Sequence, residues 1–200
     1  MQHTHLALPA AALAALLALA GCTTPATPPA APAASTQASD GTGNGVLASL
    51  GLTGLSGPQI VEKLDHDPAT RPLRMKASVR PDRVILGDGT AETSVPLAGA
   101  QEFYLSIAPF VNQTHDCYFH SLATCQGELP RAAVHVTITD SHGAALVDTD
   151  ATTYANGFVG FWLPRDISGT VTITTDGKTG SVPFATGPQD ATCLTTLRVA

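Results

Sequence analysis

His115, Cys117, His120 and Cys125 fall within eleven positions of one segment, Asn112 to Pro130, which reads NQTHDCYFHSLATCQGELP. No other stretch is as dense in soft, titratable side chains. A further thiol, Cys193, stands near the C-terminus in DATCLTTL. Thiolates are soft donors that suit Cu(I), zinc or iron–sulfur clusters. A structural zinc site usually takes four protein ligands with short paired spacings such as C-x2-C. Cys117 and Cys125 are eight apart, which is wrong for a zinc knuckle. Three thiolates, or two with an imidazole, fit the low coordination number of Cu(I), and copper heads the divalent affinity order. The expectation is a copper site on Cys117, Cys125 and Cys193. His120 or His115 would complete the shell or accept incoming Cu(II). Two rival readings stay open. Two thiols could reduce Cu(II) and close into a disulfide, or one disulfide could staple a structural surface module and leave one thiol over.

The N-terminus sets the compartment. Leu6 to Ala20 is an apolar run of fifteen residues, shorter than the ~20 that a membrane span needs. It ends in Leu19-Ala20-Gly21-Cys22, the pattern of a bacterial lipobox, in which the cysteine is lipidated and becomes the first mature residue. No Lys or Arg precedes the run, so an ordinary cleaved signal peptide ending near the same place is the alternative. Residues 1–21 therefore read as a lipoprotein signal peptide, and Cys22 as the lipidation site. Positions 22–45 are Pro, Ala, Thr, Ser and Gly with almost no charge. Such a stretch cannot bury enough surface to offset its ordering entropy, so it reads as a disordered tether. The protein is expected outside the cytoplasm, anchored to a membrane.

Composition narrows the remainder. The net charge of −6 gives no basic footprint, so nucleic acid is not expected as a partner. Charged residues are only 13% of the 200, while Gly and Pro number 18 and 15. That mix favours strands and turns over long helices. Apart from the initiator, Met75 is the one methionine, which excludes a methionine-rich copper sponge. No Ser-His-Asp order, P-loop or dinucleotide fingerprint appears, and the protein does not read as an enzyme.

Positioning elements follow from periodicity. Residues 46–72 read as a small helical segment, with Ser56 capping a helix that carries Pro58 in its first turn and Ile60, Val61 and Leu64 on one face. Its leucines could pack on the body or on a second copy. From Leu73 the pattern changes to period two. Phe103, Leu105 and Ile107 alternate with Tyr104 and Ser106; Val134, Val136 and Ile138 alternate with His135 and Thr137; Val171 and Ile173 alternate with threonines. Asp176-Gly177 is a hairpin turn. With further runs at 84–86, 144–147, 158–163, 178–184 and 193–199, about eight strands argue for a mainly β protein. Residues 73–200 thus read as an antiparallel β-sandwich or barrel-like C-terminal domain behind the small helical segment. The pattern fails between Thr114 and Leu129, so the His/Cys cluster belongs on a loop, where sheet scaffolds carry their chemistry. Phe158, Phe161 and Trp162 could shield a copper site, although strand residues of this kind read first as core. Glu128 could reach a ligating histidine, although a surface carboxylate is the plainer reading.

The chain resembles the CueP family of bacterial periplasmic copper-binding proteins. The resemblance rests on VNQTHDCYFHSLATCQGEL (Val111 to Leu129), TTYANGFVGFWLPRDI (Thr152 to Ile167) and DATCLTTL (Asp190 to Leu197), with MKASVRPDRVIL and EFYLSIAPF beside them. It covers nearly all of the body from Val46 to Ala200. It implies a copper site on Cys117, Cys125 and Cys193 with a nearby histidine, an N-terminal helical part used in dimerisation, and a β-rich remainder. It also implies a role in copper resistance, by sequestering periplasmic copper or passing it to a cuproenzyme such as a superoxide dismutase. The lipobox and tether depart from a freely diffusing carrier.

Overall fold

Strand alternation decides which way each side chain faces, and in this fold one strand serves two cores at once. The computed structural model describes residues 41–97 and 102–200. The expected signal peptide, Cys22 and positions 22–40 of the expected tether lie outside the described residues. Two helices, α1 (Gly41–Ser49) and α2 (Gly57–Asp65), precede ten strands: β1 (Lys76–Val79), β2 (Arg83–Gly87), β3 (Glu92–Pro96), β4 (Glu102–Ile107), β5 (Ala133–Asp140), β6 (Ala145–Thr152), β7 (Val159–Pro164), β8 (Ser168–Thr175), β9 (Lys178–Ala185) and β10 (Cys193–Leu194). Among the described residues they form three sheets, ordered β1-β2-β3, β10-β4-β7 and β6-β5-β8-β9. Pairing is antiparallel throughout except for β10, which runs parallel to β4. The architecture is mainly β and sandwich-like, not a closed barrel.

Phe103, Leu105 and Ile107 of β4 pack with Val134, Val136, Ile138, Val171 and Ile173 in the core between the second and third sheets. Tyr104 points the other way, into a separate core that Val46, Leu52, Ile60, Val61, Val79, Val84 and Leu86 build from the helices and the first sheet. Strand β4 is therefore a wall with an apolar layer on each side, which is why Phe103 to Ile107 are all buried. On β5 and β8 the apolar residues are buried while the threonines between them are at least partly accessible, the period-two pattern of a sheet with one wet face. Asp176 and Gly177 both take positive φ, as a tight two-residue hairpin requires, and Thr175 pairs with Lys178 beneath them.

Helix α2 forms as its sequence implies. Pro58 occupies the first turn, and Gln59 Oε1 accepts from the Ser56 amide at 2.9 Å and from its hydroxyl at 3.1 Å. Ile60, Val61 and Leu64 are buried on one face. Arg71 closes the other end, donating to the carbonyls of Leu64 at 2.8 Å and Asp67 at 2.9 Å, where a cation also suits the helix dipole. The leucines pack on the body: Leu52 is fully buried, and Leu47, Leu50 and Leu55 lie against the same core.

Two boundaries differ from the sequence reading. Helix α1 begins at Gly41, so residues 41–45 are helical although their composition reads as tether. Tertiary packing overrides their low propensity: Val46 is buried, and Gly43 lies so close to β3 that a Cβ there would meet Thr93 Oγ1 at 2.8 Å. The final run, 193–199, forms only the two-residue β10 and a bridge between Phe110 and Arg198. Between them the Thr195 carbonyl accepts from the Thr114 hydroxyl at 2.7 Å instead of extending a ladder.

Candidate metal centre

Residues 111–132 run between β4 and β5 without forming a strand, and a few polar contacts fix their path. Glu128 draws the ends of the segment together. Its Oε2 accepts from the amides of Val111 at 2.6 Å and Asn112 at 2.9 Å, and its Oε1 from the Asn112 side chain at 3.0 Å. Glu128 thus organises the loop and does not touch a histidine. These amides hold its carboxyl down to about 2. Further in, Val79 donates its amide to the His120 carbonyl at 2.8 Å and Leu122 to Ala77 at 2.9 Å, pinning the loop on β1. Thr192 links three elements: its hydroxyl accepts from the His120 amide at 3.0 Å and donates to the Val79 carbonyl at 2.8 Å. The next residue, Cys193, donates its amide to Tyr118 at 3.1 Å. The long-range closure needed to bring Cys193 to the loop is thereby made.

The three cysteines are free thiols that share a small cluster with Ala108 and Phe158. Cys117 Sγ lies 3.4 Å from Cys125 Sγ, a thiol hydrogen bond and not a disulfide. Cys193 Sγ lies 3.7 Å from His120 Nδ1. Two sets of three donors have ligand atoms all within 4.8 Å of one another: His115, Cys117 and Cys125 form one, and His120, Cys125 and Cys193 the other. The sets overlap only at Cys125. Phe158, fully buried, stacks near the His120 ring at 4.5 Å and meets the His115 ring edge-on at 6.1 Å. It covers both histidines, while Phe161 and Trp162 belong to other clusters and serve as core.

The second set is buried throughout. His120 is wholly inaccessible, and its Nε2 lies 3.0 Å from Asp65 Oδ1, also wholly inaccessible. Asp65 ends α2 and is saturated: Asn156 Nδ2 donates to Oδ1 at 2.7 Å, and the Tyr104 hydroxyl to Oδ2 at 2.6 Å. A carboxylate on one imidazole nitrogen fixes the ring and turns the other toward an incoming ion, an arrangement typical of metal-ligating histidines. The sequence reading did not single out Asp65, which precedes His120 by fifty-five positions. The one available signal was an acidic residue on the buried face of α2, one step past Leu64. Tyr104 and Ser106, the polar half of the β4 alternation, turn out to line this buried network.

Charge in the cluster follows from these contacts. Burial disfavours a charged imidazole, but the Asp65 carboxylate outweighs it and raises His120 to about 9. Burial likewise pushes the Asp65 carboxyl up, and the His120 charge with the hydrogen bonds from His120, Tyr104 and Asn156 hold it below its usual range. The three thiols titrate together. The negative charge settles on Cys125, held down by the Cys117 and Cys193 thiols against burial, with His120 adding to the effect. Cys117 is correspondingly pushed up to about 12 by the Cys125 sulfur, and Cys193 is pushed up by Cys117, Cys125 and burial.

His115 is only partly buried, yet its Nε2 is inaccessible and has no hydrogen-bond partner among the described residues. A buried polar nitrogen without a partner is rare enough to need an explanation. An open cleft of about 530 Å³, walled by His115, Cys117, Phe119, Thr124 and Cys125 among others, leads from solvent to this set. Tyr118 stands 56% exposed at its rim. His135 and His142 lie elsewhere; His135 is held between Asp148 at 3.0 Å and Asp150 at 2.8 Å on the outer sheet.

Loop, thiols and distant strand together match a known design. A family model described as periplasmic copper-binding protein CueP matches residues 59–198. The chain belongs to the CueP family. Among solved structures, it is similar to one described as the crystal structure of S.CueP, at 42% identity with a TM-score of 0.77, covering 82% of this chain and 100% of that one. No curated protein matches it. The CueP-family match takes in Asp65, the whole His/Cys loop and Cys193. The family's copper and its periplasmic setting agree with the copper and the extracytoplasmic location expected from the sequence.

Proposed function

We propose that this CueP-family chain sequesters copper as Cu(I), on thiolates of Cys117, Cys125 and Cys193 with histidine help, while tethered to a membrane through lipidated Cys22. The observation that carries this reading is His120, buried with Asp65 on Nε2 and Cys193 Sγ 3.7 Å from Nδ1. Thiolate and imidazole donors in a dry site of low coordination number favour the softer Cu(I). Burial then keeps water and oxidants from the ion. Copper held this way is removed from circulation, which confers resistance, and is available for delivery to a periplasmic cuproenzyme.

The decisive experiment is an anaerobic Cu(I) titration of the reduced protein against a chromogenic Cu(I) chelator, run beside Cys193→Ser. The wild type is expected to outcompete the chelator at one equivalent, and the variant to fail. If neither competes, the Cu(I) reading falls. A second reading rests on the 3.4 Å contact between Cys117 and Cys125: two Cu(II) ions could take one electron from each thiol, yielding two Cu(I), a disulfide and two protons. Titrating Cu(II) without reductant in the same assay separates the two, since only this reading predicts loss of two thiols per two ions reduced.

A further inference from the structure

We infer that the five donors are two successive sites and not one: an outer capture site of His115, Cys117 and Cys125, and an inner holding site of His120, Cys125 and Cys193, with copper passing between them on Cys125. This rests on the Cu(I) reading above and deepens it: the three thiolates and two histidines of that centre serve in turn, two thiolates and one histidine at a time.

Three observations separate the sites. First, the donor sets overlap at one sulfur only: Cys117 and Cys193, although near enough to shift each other's titration, share no set whose donor atoms all lie within 4.8 Å of one another. Second, their surroundings differ. The outer set forms the wall of an open cleft, and His115 and Cys117 are half-buried. The inner set is fully buried beneath Phe158. Third, the histidines are prepared differently. The inner ring is locked by Asp65 at 3.0 Å. The outer ring has no such partner, and its Nε2 is unsatisfied. A donor without a fixed partner suits rapid exchange with ions arriving from solvent, whereas a donor locked by a buried carboxylate suits retention.

The transfer is a ligand exchange with no change in oxidation state. Cu–Cys117 and Cu–His115 bonds break as Cu–Cys193 and Cu–His120 bonds form, and the Cu–Cys125 bond persists. Cys193 and His120 each release a proton; Cys117 recovers one as its thiol re-forms, and the other leaves to water. Because each three-donor site needs Cys125, the chain carries one ion at a time.

The test uses the reduced full chain and Cu(I) supplied as a chromogenic chelate. Stopped-flow absorbance reads the capture rate, and equilibrium competition reads the affinity and stoichiometry. His115→Ala and Cys117→Ser are expected to slow capture at least tenfold, with a loss of affinity well below that of Cys193→Ser. Cys193→Ser is expected to lose about 100-fold or more in affinity, and to take up Cu(I) at near the wild-type rate when the ion is offered from a chelate weaker than the competitor used above. His115→Ala keeps the rate arm interpretable if Cys117→Ser fails to fold, because His115 is half-buried and carries no hydrogen bond. The two-site order is overturned if outer and inner variants lose affinity equally with unchanged rates, if Cys193→Ser slows capture as much as His115→Ala, or if saturation takes two equivalents. A wild type that binds no Cu(I) overturns the Cu(I) reading itself, a distinct result.

Discussion

At the scale of single residues, Asp65 matters most among those without a sulfur or an imidazole. It is wholly buried, accepts from Tyr104 and Asn156, and holds His120 by Nε2. Asp65→Asn preserves the shape and removes the charge. Cu(I) affinity should fall about 10–100-fold with stoichiometry still at one, read by chelator competition. The metal-free protein should also change its response to pH. His120 is raised from its ordinary 6.5 to about 9, so its stabilising contribution is complete below about 6.5 and disappears as pH rises through about 9. Cys125 is shifted down and acts with the opposite sign over the same interval, so the comparison isolates the His120 contribution: the melting-temperature deficit of Asp65→Asn relative to wild type should shrink as pH rises from about 6.5 through about 9. Cys117, Cys125, His115 and His120 were legible in the sequence because soft donors crowd one short segment. Asp65 was not, because its role depends on a contact between residues fifty-five apart that no local pattern encodes.

Among the elements, the end of the His/Cys loop is pressed against the turn before β7 through two glycines, Gly127 and Gly157. Gly127 donates no side chain into its contact with Gly157, and its neighbour Asn156 accepts its amide at 2.7 Å. Gly157 has φ of 80°, and a Cβ there would meet Gly127 O at 2.6 Å. Gly157→Ala should therefore cost about 2 kcal/mol or more by chemical denaturation and loosen the His/Cys loop. Gly143→Ala is the control: it shares a positive φ of 83° but meets nothing within 4 Å, so it carries backbone strain alone. Alternation in β4, β5 and β8 and the Asp176-Gly177 turn revealed those elements in the sequence, because burial on one face writes itself in period two. The parallel placement of β10 did not show, since two residues carry no period, and the start of α1 at 41–45 was hidden by a composition that suits a tether.

For the whole molecule, one apolar layer stands on each side of β4, and the cysteines form a small cluster of their own with Ala108 and Phe158. Location in the cell is the matching question at this scale. The lipid anchor proposed at Cys22 predicts that the full chain, expressed in a bacterium, fractionates with membranes and enters the detergent phase on phase separation. Cys22→Ser should move it to the soluble fraction without changing Cu(I) stoichiometry. Equal partition of the two forms would sink the anchor.

The brevity of β10 has its own implication. Cys193 rides on a strand held by two residue pairs with β4, at the edge of its sheet. The pairing with β4 is not all that holds it: downstream, Leu197 and Val199 are fully buried in the core between the second and third sheets, so freeing this donor means withdrawing two core side chains and not merely fraying an edge. The tail is therefore a bolted clasp: its two core side chains keep Cys193 beside the His/Cys loop, and under the proposed copper reading that bolt resists release of the ion.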